Sequence, residues 1–192
     1  MTAPEAKIFA YHLGIVVRDR EAACQRYSEL LGVPEWHYSE IERPAFPVNP
    51  KTAGGHGKLH IAFGRVPGMT FELIQPEGQI AHKVFLDEHG EGVQHIGVWT
   101  PDVQAAVREA VAKGCRVTHA ALNQDVATVE LTPNSPADAI IPFLGNMAYI
   151  DPGVGGFQIE YIAAVNPERH RGLFEEIVDE SIPLPPWYQP RS

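Results

Sequence analysis

The sequence predicts an α+β fold in which two tandem βαβββ modules form one curled, mixed β-sheet. Two observations predict it: an internal repeat, and the same order of strand-like and helix-like segments in both copies. The repeat aligns His12-Leu13-Gly14-Ile15-Val16 with His95-Ile96-Gly97-Val98-Trp99, and the same offset pairs Asp19 with Asp102. Several identities at one offset within so short a stretch indicate a tandem duplication.

The first copy contains a strand, a helix and three further strands. An apolar, β-branched run over residues 8–17 predicts the first strand. Asp19 is placed to cap the helix that follows, and Gly32 to end it, because glycine adopts the left-handed conformation of helix ends readily. The remaining strands are expected over residues 35–41, 58–63 and 70–75, and the Pro/Gly-rich stretch 44–57 is expected to be a loop.

The second copy repeats this order. Residues 93–99 predict its first strand, Thr100 the cap of its helix, Pro101 the first helical position, and Gly114 the helix end. The later strands are expected over residues 116–121, 146–150 and 157–162.

These segments predict where the modules begin and end. The first module is expected over residues 1–78 and the second over 93–164, joined by a linking segment over 79–92 with a helix at 79–89. The second module carries an insertion over residues 123–144. Residues 165–192 form a C-terminal extension with one helix expected over 168–180 and a proline-rich end.

The amino-acid composition predicts the cellular compartment and argues against some classes of binding partner. The apolar fraction of 44% and the charged fraction of 20% are ordinary for a globular protein, and no apolar run approaches the roughly 18 residues that span a bilayer. With two cysteines and no secretory pattern at the start, we expect a cytoplasmic protein without a membrane partner. The net charge of −9 argues against a nucleic-acid partner. An anionic small molecule could still meet local cations, namely Arg18, Lys58, Arg65 or Lys83.

The duplication places a metal-competent side chain at the same two positions of each copy. A histidine lies on each first strand, and Phe71-Glu72-Leu73-Ile74 matches Ile159-Glu160-Tyr161-Ile162 on each last strand. A single strand histidine is usually a core or surface residue, but a buried glutamate is rare unless it is paired. We therefore predict one divalent-metal site in the cleft between the modules, built from His12, Glu72, His95 and Glu160. Two imidazoles and two carboxylates suit Zn, Co, Ni, Mn or Fe(II).

These residues resemble the vicinal oxygen chelate superfamily, which includes glyoxalase I, methylmalonyl-CoA epimerase, extradiol dioxygenases and antibiotic-resistance binding proteins. The resemblance covers about residues 7–163, and its most specific segment, Phe85 to Gly97, is similar to the epimerase branch. It implies that the four residues above match the four metal positions of the family. It also implies a homodimer, which a molecular mass measured in solution would test.

The resemblance further implies the chemistry. Four filled ligand positions are typical of the isomerase and lyase branches, which move a proton next to a metal-bound carbonyl of an acyl-CoA-like or related small molecule. Candidates for the base are Glu160 and His60, the latter near a position where epimerases carry a glutamate. The insertion and the tail predict a substrate larger than, or different from, methylmalonyl-CoA. A glyoxalase I-like lyase, an Fe(II) dioxygenase and a non-catalytic binding protein are the alternatives.

Five further histidines are predicted to lie in loops or exposed strands and to have no role in metal binding. They are His37, His56, His89, His119 and His170.

Overall fold

Eight strands and four α-helices are present in the part of the chain that the computed structural model describes, residues 9–44, 51, 55–122 and 136–163. The strands are β1 Phe9–Val16, β2 Trp36–Pro44, β3 His56–Val66, β4 Met69–Gly78, β5 Gly92–Trp99, β6 Arg116–Leu122, β7 Leu144–Asp151 and β8 Gln158–Ile162. The helices are α1 Arg20–Leu31, α2 Ala81–His89, α3 Val103–Ala112 and the short α4 Ala137–Ile140, which a 3-10 turn over Ile141–Phe143 continues. The predicted α+β class is confirmed.

One mixed, curled sheet contains all eight strands in the order β2-β3-β4-β1-β5-β8-β7-β6. Within each half the first strand pairs with the last in parallel, β1 with β4 and β5 with β8. The two halves join where β1 and β5 pair antiparallel at the centre. The order and the directions are therefore those of two βαβββ units related by an approximate twofold axis between β1 and β5.

The ends of α1 lie where the sequence predicts them. The Asp19 carboxylate accepts a hydrogen bond from the Ala22 backbone N–H at 3.0 Å. Gly32 follows the helix with φ of 72°, in the left-handed region, and its N–H donates to the Ser28 carbonyl. Both caps satisfy backbone groups that a helix end leaves without intrahelical partners.

The predicted start of α3 is wrong by two residues. Asp102 is the N-cap, and its carboxylate accepts from the Ala105 N–H at 2.9 Å. The Thr100 hydroxyl instead accepts a 3.3 Å hydrogen bond from the Asp102 N–H, so Thr100 and Pro101 precede the helix. The internal repeat pairs Asp102 with Asp19, and the two aspartates cap equivalent helices in the same way.

Six of the eight strands extend beyond their predicted ends, whereas β1 and β8 are slightly shorter than predicted. The largest difference is in β3, which runs from His56 to Val66 because it pairs without interruption with β4 from Gly57 to Val66. Part of the predicted insertion is built into the second module: Ile140 and Ile141 are buried in its core, and Leu144 begins β7. Residues 123–135 and the helix predicted over 168–180 lie outside the described residues.

The helices divide the sheet into two faces. On one face, α1 packs against residues such as Ala62 and Leu73, and α3 packs in the same way in the second module. The opposite face is partly covered by α2, whose Leu86 packs with Ile61 and Phe63. Because side chains alternate along a strand, this second face also receives the predicted metal ligands. None of the helices in the described part of the chain has the length and apolar character that a membrane span requires.

Candidate metal centre

Two rows of paired residues cross the centre of the sheet, and each row mixes the two modules. The central strands are β1 and β5, and β4 and β8 flank them. In each row a glycine of one central strand lies between a histidine of the other central strand and a glutamate of the flanking strand. The first row is His95, Gly14 and Glu72, and the second row is His12, Gly97 and Glu160. The twofold relation of the modules thus brings all four predicted ligands together.

The glycines of the rows allow the imidazole rings to lie flat across the neighbouring strand. A Cβ atom at Gly14 would lie 2.0 Å from the His95 ring, and a Cβ atom at Gly97 would lie 2.1 Å from the His12 ring. Any larger residue at either position would displace the ring. The His-x-Gly spacing of the repeat therefore has a structural cause, because each glycine makes room for the histidine of the other module.

The ligand atoms converge on one point. His12 Nε2 and His95 Nε2 are 2.9 Å apart, and Glu72 Oε2 lies 3.1 Å from both. Glu160 Oε2 lies 3.2 Å from His12 Nε2 and 3.4 Å from His95 Nε2. One atom from each of the four residues lies within 4.8 Å of the other three. Ligands about 2.1 Å from one cation and about 90° apart would be about 3.0 Å from each other, so these spacings fit a transition metal or zinc.

The four side chains are almost fully buried, and their charges depend on one another. Burial, the largest influence on His12, disfavours its charged form, but Glu72 and Glu160 outweigh it and raise the His12 pKa to about 9. Burial also works to raise the pKa of Glu72, yet His12 and His95 overcome it and lower that pKa to about 2. Against the same effect of burial, the two imidazoles hold the pKa of Glu160 well below its ordinary value.

This donor set fits a divalent cation in charge as well as in spacing. Two carboxylates carry two negative charges, and two neutral imidazoles add no charge once their extra protons have left. A divalent ion would therefore replace the buried protons without leaving net charge in the interior, where an unpaired charge is costly. The absence of thiolates favours Zn, Co, Ni, Mn or Fe(II) over softer ions.

His60, the second predicted base, does not join this cluster. Phe63 lies on the metal face of β3, since its ring contacts the His12 ring with centroids 6.0 Å apart. His60 is three residues away and therefore lies on the opposite face. There its two ring nitrogens are 3.0 Å from Glu40 and 3.1 Å from Glu77. The structure thus places His60 in a surface network of charged side chains.

Each row continues outward through an aromatic residue to a further histidine. Phe63 pairs with Glu72 and with His37, and in the other module Tyr149 pairs with Glu160 and with His119. Paired residues of an antiparallel sheet share a face, so His37 and His119 lie on the metal face.

The two outer histidines differ in exposure. His37 is exposed, as the sequence predicts, whereas His119 has an exposed fraction of 1%, so its predicted exposed position is wrong. The His119 ring stacks on Tyr149 with centroids 3.8 Å apart, beneath His82 of α2. The outer end of the second module's row is thus covered by α2, whereas the outer end of the first module's row is exposed to solvent.

Two residues beside the site carry no prediction from the sequence. His82 is buried on α2, with its ring 6.2 Å from that of His95. Gln94, which directly precedes His95, is also buried and contacts the His95 ring. The position of Gln94 next to a predicted ligand is a signal that the sequence contains, whereas the contact of His82 depends on how α2 packs.

Several solved structures share the fold. The methylmalonyl-CoA epimerase from Mycobacterium tuberculosis is 21% identical, with a TM-score of 0.52, and the match covers 83% of this chain and 90% of that one. A variant of the Streptomyces coelicolor methylmalonyl-CoA epimerase, in complex with 2-nitronate-propionyl-CoA, is 20% identical, with a TM-score of 0.53 and coverage of 82% and 97%. A 4-hydroxymandelate synthase mutant from Streptomyces coelicolor is 16% identical, with a TM-score of 0.51 and coverage of 83% and 50%.

At these identities the solved structures show a common fold and no more. No curated protein matches the sequence. A sequence profile of one superfamily does match, over residues 11–128, which is more than half of the chain and includes three of the four converging residues. The chain therefore belongs to the Glyoxalase/Bleomycin resistance protein/Dioxygenase superfamily.

Proposed function

We propose that the protein is a metal-dependent isomerase of this superfamily that removes a proton from the carbon next to a carbonyl group. The observation that carries the proposal is the buried set of two imidazoles and two carboxylates with Nε2 and Oε2 atoms 2.9–3.4 Å apart. Oxygenases with non-haem Fe(II) use two histidines and one carboxylate and leave other positions open. A second carboxylate at the fourth position favours proton transfer over dioxygen chemistry.

His12, Glu72, His95 and Glu160 would hold the metal. When bound, a divalent cation supplies Lewis-acid stabilisation of the negative charge that develops on a carbonyl oxygen as the neighbouring C–H bond ionises. The protein's part is to fix the donors on the central strands and on the strands that flank them, and to exclude water on the side that α2 covers.

Glu160 is the base in this proposal. A carboxylate can accept a proton from the substrate only through an oxygen that its other partners hold loosely. Glu160 Oε2 lies 3.2 and 3.4 Å from the two imidazoles, and Glu72 Oε2 lies 3.1 Å from both. Glu160 therefore acts as the base in this proposal only when one of its oxygens leaves its partners in the cluster.

Inversion at a carbon requires a second proton carrier on the opposite side of that carbon. Glu160 belongs to the second module, so the second carrier is expected on the first. His37 lies there, on the metal face and exposed, two strands or about 10 Å from the backbone of Glu72. We assign His37 this role. His60 stays a prediction from the sequence, and its opposite face argues against direct contact with the substrate.

The substrate class follows from the charges around the open end of the cleft and from the relatives. Arg65 lies on the metal face of β3, two residues from Phe63, and brings a cation towards the exposed end of the first row. Lys58 pairs with Glu40 beside His60. Together with the acyl-CoA ligand of one structural relative, this supports an anionic acyl thioester as substrate.

Exchange of the substrate α-proton with solvent tests the proposal. The protein loaded with Zn, Co or Mn would be incubated in D2O with a series of 2-substituted acyl-CoA esters, methylmalonyl-CoA first, and deuterium gain measured by mass spectrometry. We expect exchange that a chelator stops and that His95→Ala abolishes. His89→Ala, which removes an exposed histidine at the end of α2, is the matched control and should exchange normally. Oxygen uptake with Fe(II) and no exchange would refute the proposal.

A further inference from the structure

A β-bulge interrupts β5 immediately before its metal-site histidine. Gly14 pairs with His95 and Ile15 pairs with Val93, so Gln94 has no Cα partner on β1. Consecutive residues of a regular strand direct their side chains to opposite faces, but an extra residue in a bulge breaks that alternation. The bulge therefore allows Gln94 and His95 to place their side chains next to each other.

The two side chains make a short hydrogen bond in the interior. Gln94 Oε1 lies 2.6 Å from His95 Nδ1, and the exposed fractions are 1% for Gln94 and 0% for His95. A side-chain carbonyl oxygen only accepts hydrogen bonds, so His95 Nδ1 is the donor and carries the proton. In a neutral imidazole the lone pair then lies on Nε2, the atom 3.1 Å from Glu72 Oε2 and 2.9 Å from His12 Nε2.

We propose that Gln94 is a positioning residue that fixes the tautomer and the ring orientation of His95 for metal binding. The inference rests on the metal site of the proposed function, but it does not depend on which reaction that site performs. Metal-binding histidines commonly donate their second N–H to an oxygen acceptor, and loss of that acceptor weakens metal binding by about 10- to 100-fold. Gln94 supplies such an acceptor from the residue directly before the ligand.

The other module has a bulge at the equivalent place but a different residue in it. On β1, Ala10 pairs with Val98 and His12 with Gly97, which leaves Tyr11 without a Cα partner directly before His12. Both modules thus have a β-bulge directly before the histidine, but only the second module has an amide side chain in the bulge. We expect the contribution of Gln94 to concern His95 alone.

Zn2+ affinity of the metal-free protein, measured by competition with a chromophoric chelator, tests the inference. Gln94→Leu keeps the size of the side chain but removes the acceptor, and its Zn2+ dissociation constant should rise about 10- to 100-fold. Gln94→Glu restores an acceptor and should bind Zn2+ within a few-fold of the unaltered protein. Gln158→Leu is the matched control, because Gln158 pairs with His95 across β5 and β8 but accepts its hydrogen bond from Thr118.

A spectroscopic readout separates positioning from a merely structural role. In the Zn2+-loaded protein, 15N NMR should show the His95 ring protonated at Nδ1, with a slowly exchanging proton that is lost in Gln94→Leu. That measurement on the unaltered protein also keeps the inference testable if Gln94→Leu does not fold. Protonation at Nε2, or equal Zn2+ affinity in a folded Gln94→Leu, would overturn it. If the protein binds Zn2+ tightly and Gln94→Leu weakens that binding as expected, but no α-proton exchange is seen, only the proposed function is refuted.

Discussion

Replacing Gly97 with alanine should weaken metal binding although Gly97 offers no ligand atom. A Cβ atom there would lie 2.1 Å from the His12 ring, whereas ordinary van der Waals contact begins at 3.4 Å. The ring must therefore retreat by about the difference, 1.3 Å, to regain ordinary contact. Metal–ligand distances vary by only about 0.2 Å around their ideal values, so a displacement of that size removes His12 from coordination.

The magnitude follows from the loss of one ligand in four. Disturbing an outer partner of a ligand already costs about 10- to 100-fold in affinity, so losing the ligand should cost at least about 100-fold, or about 3 kcal/mol. The assay is Zn2+ titration of the metal-free Gly97→Ala protein, with circular dichroism to verify folding. Gly14→Ala should show a similar loss, because its Cβ would lie 2.0 Å from the His95 ring.

A control for this prediction lies on the same strand. Gly92 also belongs to β5, but a Cβ atom there would meet nothing within 4 Å, so Gly92→Ala should bind Zn2+ normally. If folded Gly97→Ala binds Zn2+ as tightly as the unaltered protein, either the ring moves without cost or His12 is not a ligand. The reasoning from close approach would then be refuted.

Three further predictions concern turnover, pH and metal removal. His60→Asn should leave turnover within about twofold, since His60 lies on the face opposite the metal site; a large loss in steady-state rate would support its predicted role as a base. Because the His12 pKa is raised, protonated His12 stabilises the metal-free protein fully below pH 6.5, and this stabilisation is lost as pH rises through about 9. Because the Glu72 pKa is lowered, ionised Glu72 stabilises the protein above pH 4.5, and that stabilisation is lost as pH falls through about 2. Urea unfolding of the metal-free protein should therefore give a maximum between pH 4.5 and 6.5 and a loss of up to about 3 kcal/mol towards pH 9, and a flat profile would contradict the ion-pair cluster. Chelation of a protein held at about 100 times the Kd in free metal removes about 2.7 kcal/mol, so Tm should fall by about 5–10 °C, and an unchanged Tm would argue against the site.

The four converging residues could be predicted because the duplication repeats chemistry as well as secondary structure. A histidine followed two residues later by a glycine occurs on β1 and on β5, and a glutamate recurs on β4 and on β8. The same repeat pairs Asp102 with Asp19 and so contained the correct cap of α3. The preference for proline in the first helical turn pointed instead to Thr100, and the local carboxylate cap prevailed.

What the sequence could not provide depends on register and on packing between distant segments. The face of His60 follows from the pairing of β3 with its neighbours and from the contact of Phe63 with His12. The burial of His119 depends on α2, a helix more than 25 residues earlier in the chain. The contact between Gln94 and His95 depends on a bulge, which no periodic pattern of apolar residues indicates.

Because both modules contribute donors to one centre, the fusion of the modules affects how a bound substrate is oriented. Each row joins a histidine of one module to a glycine and a glutamate of the other module, so neither module has a complete set of donors by itself. Two identical half-length chains could build such a centre, but both ends of a bound molecule would then meet the same surroundings. Fusion into one chain lets Phe63 and Tyr149, or His37 and His119, diverge. A centre that is nearly symmetric in its donors can thus hold an unsymmetrical molecule in a single orientation.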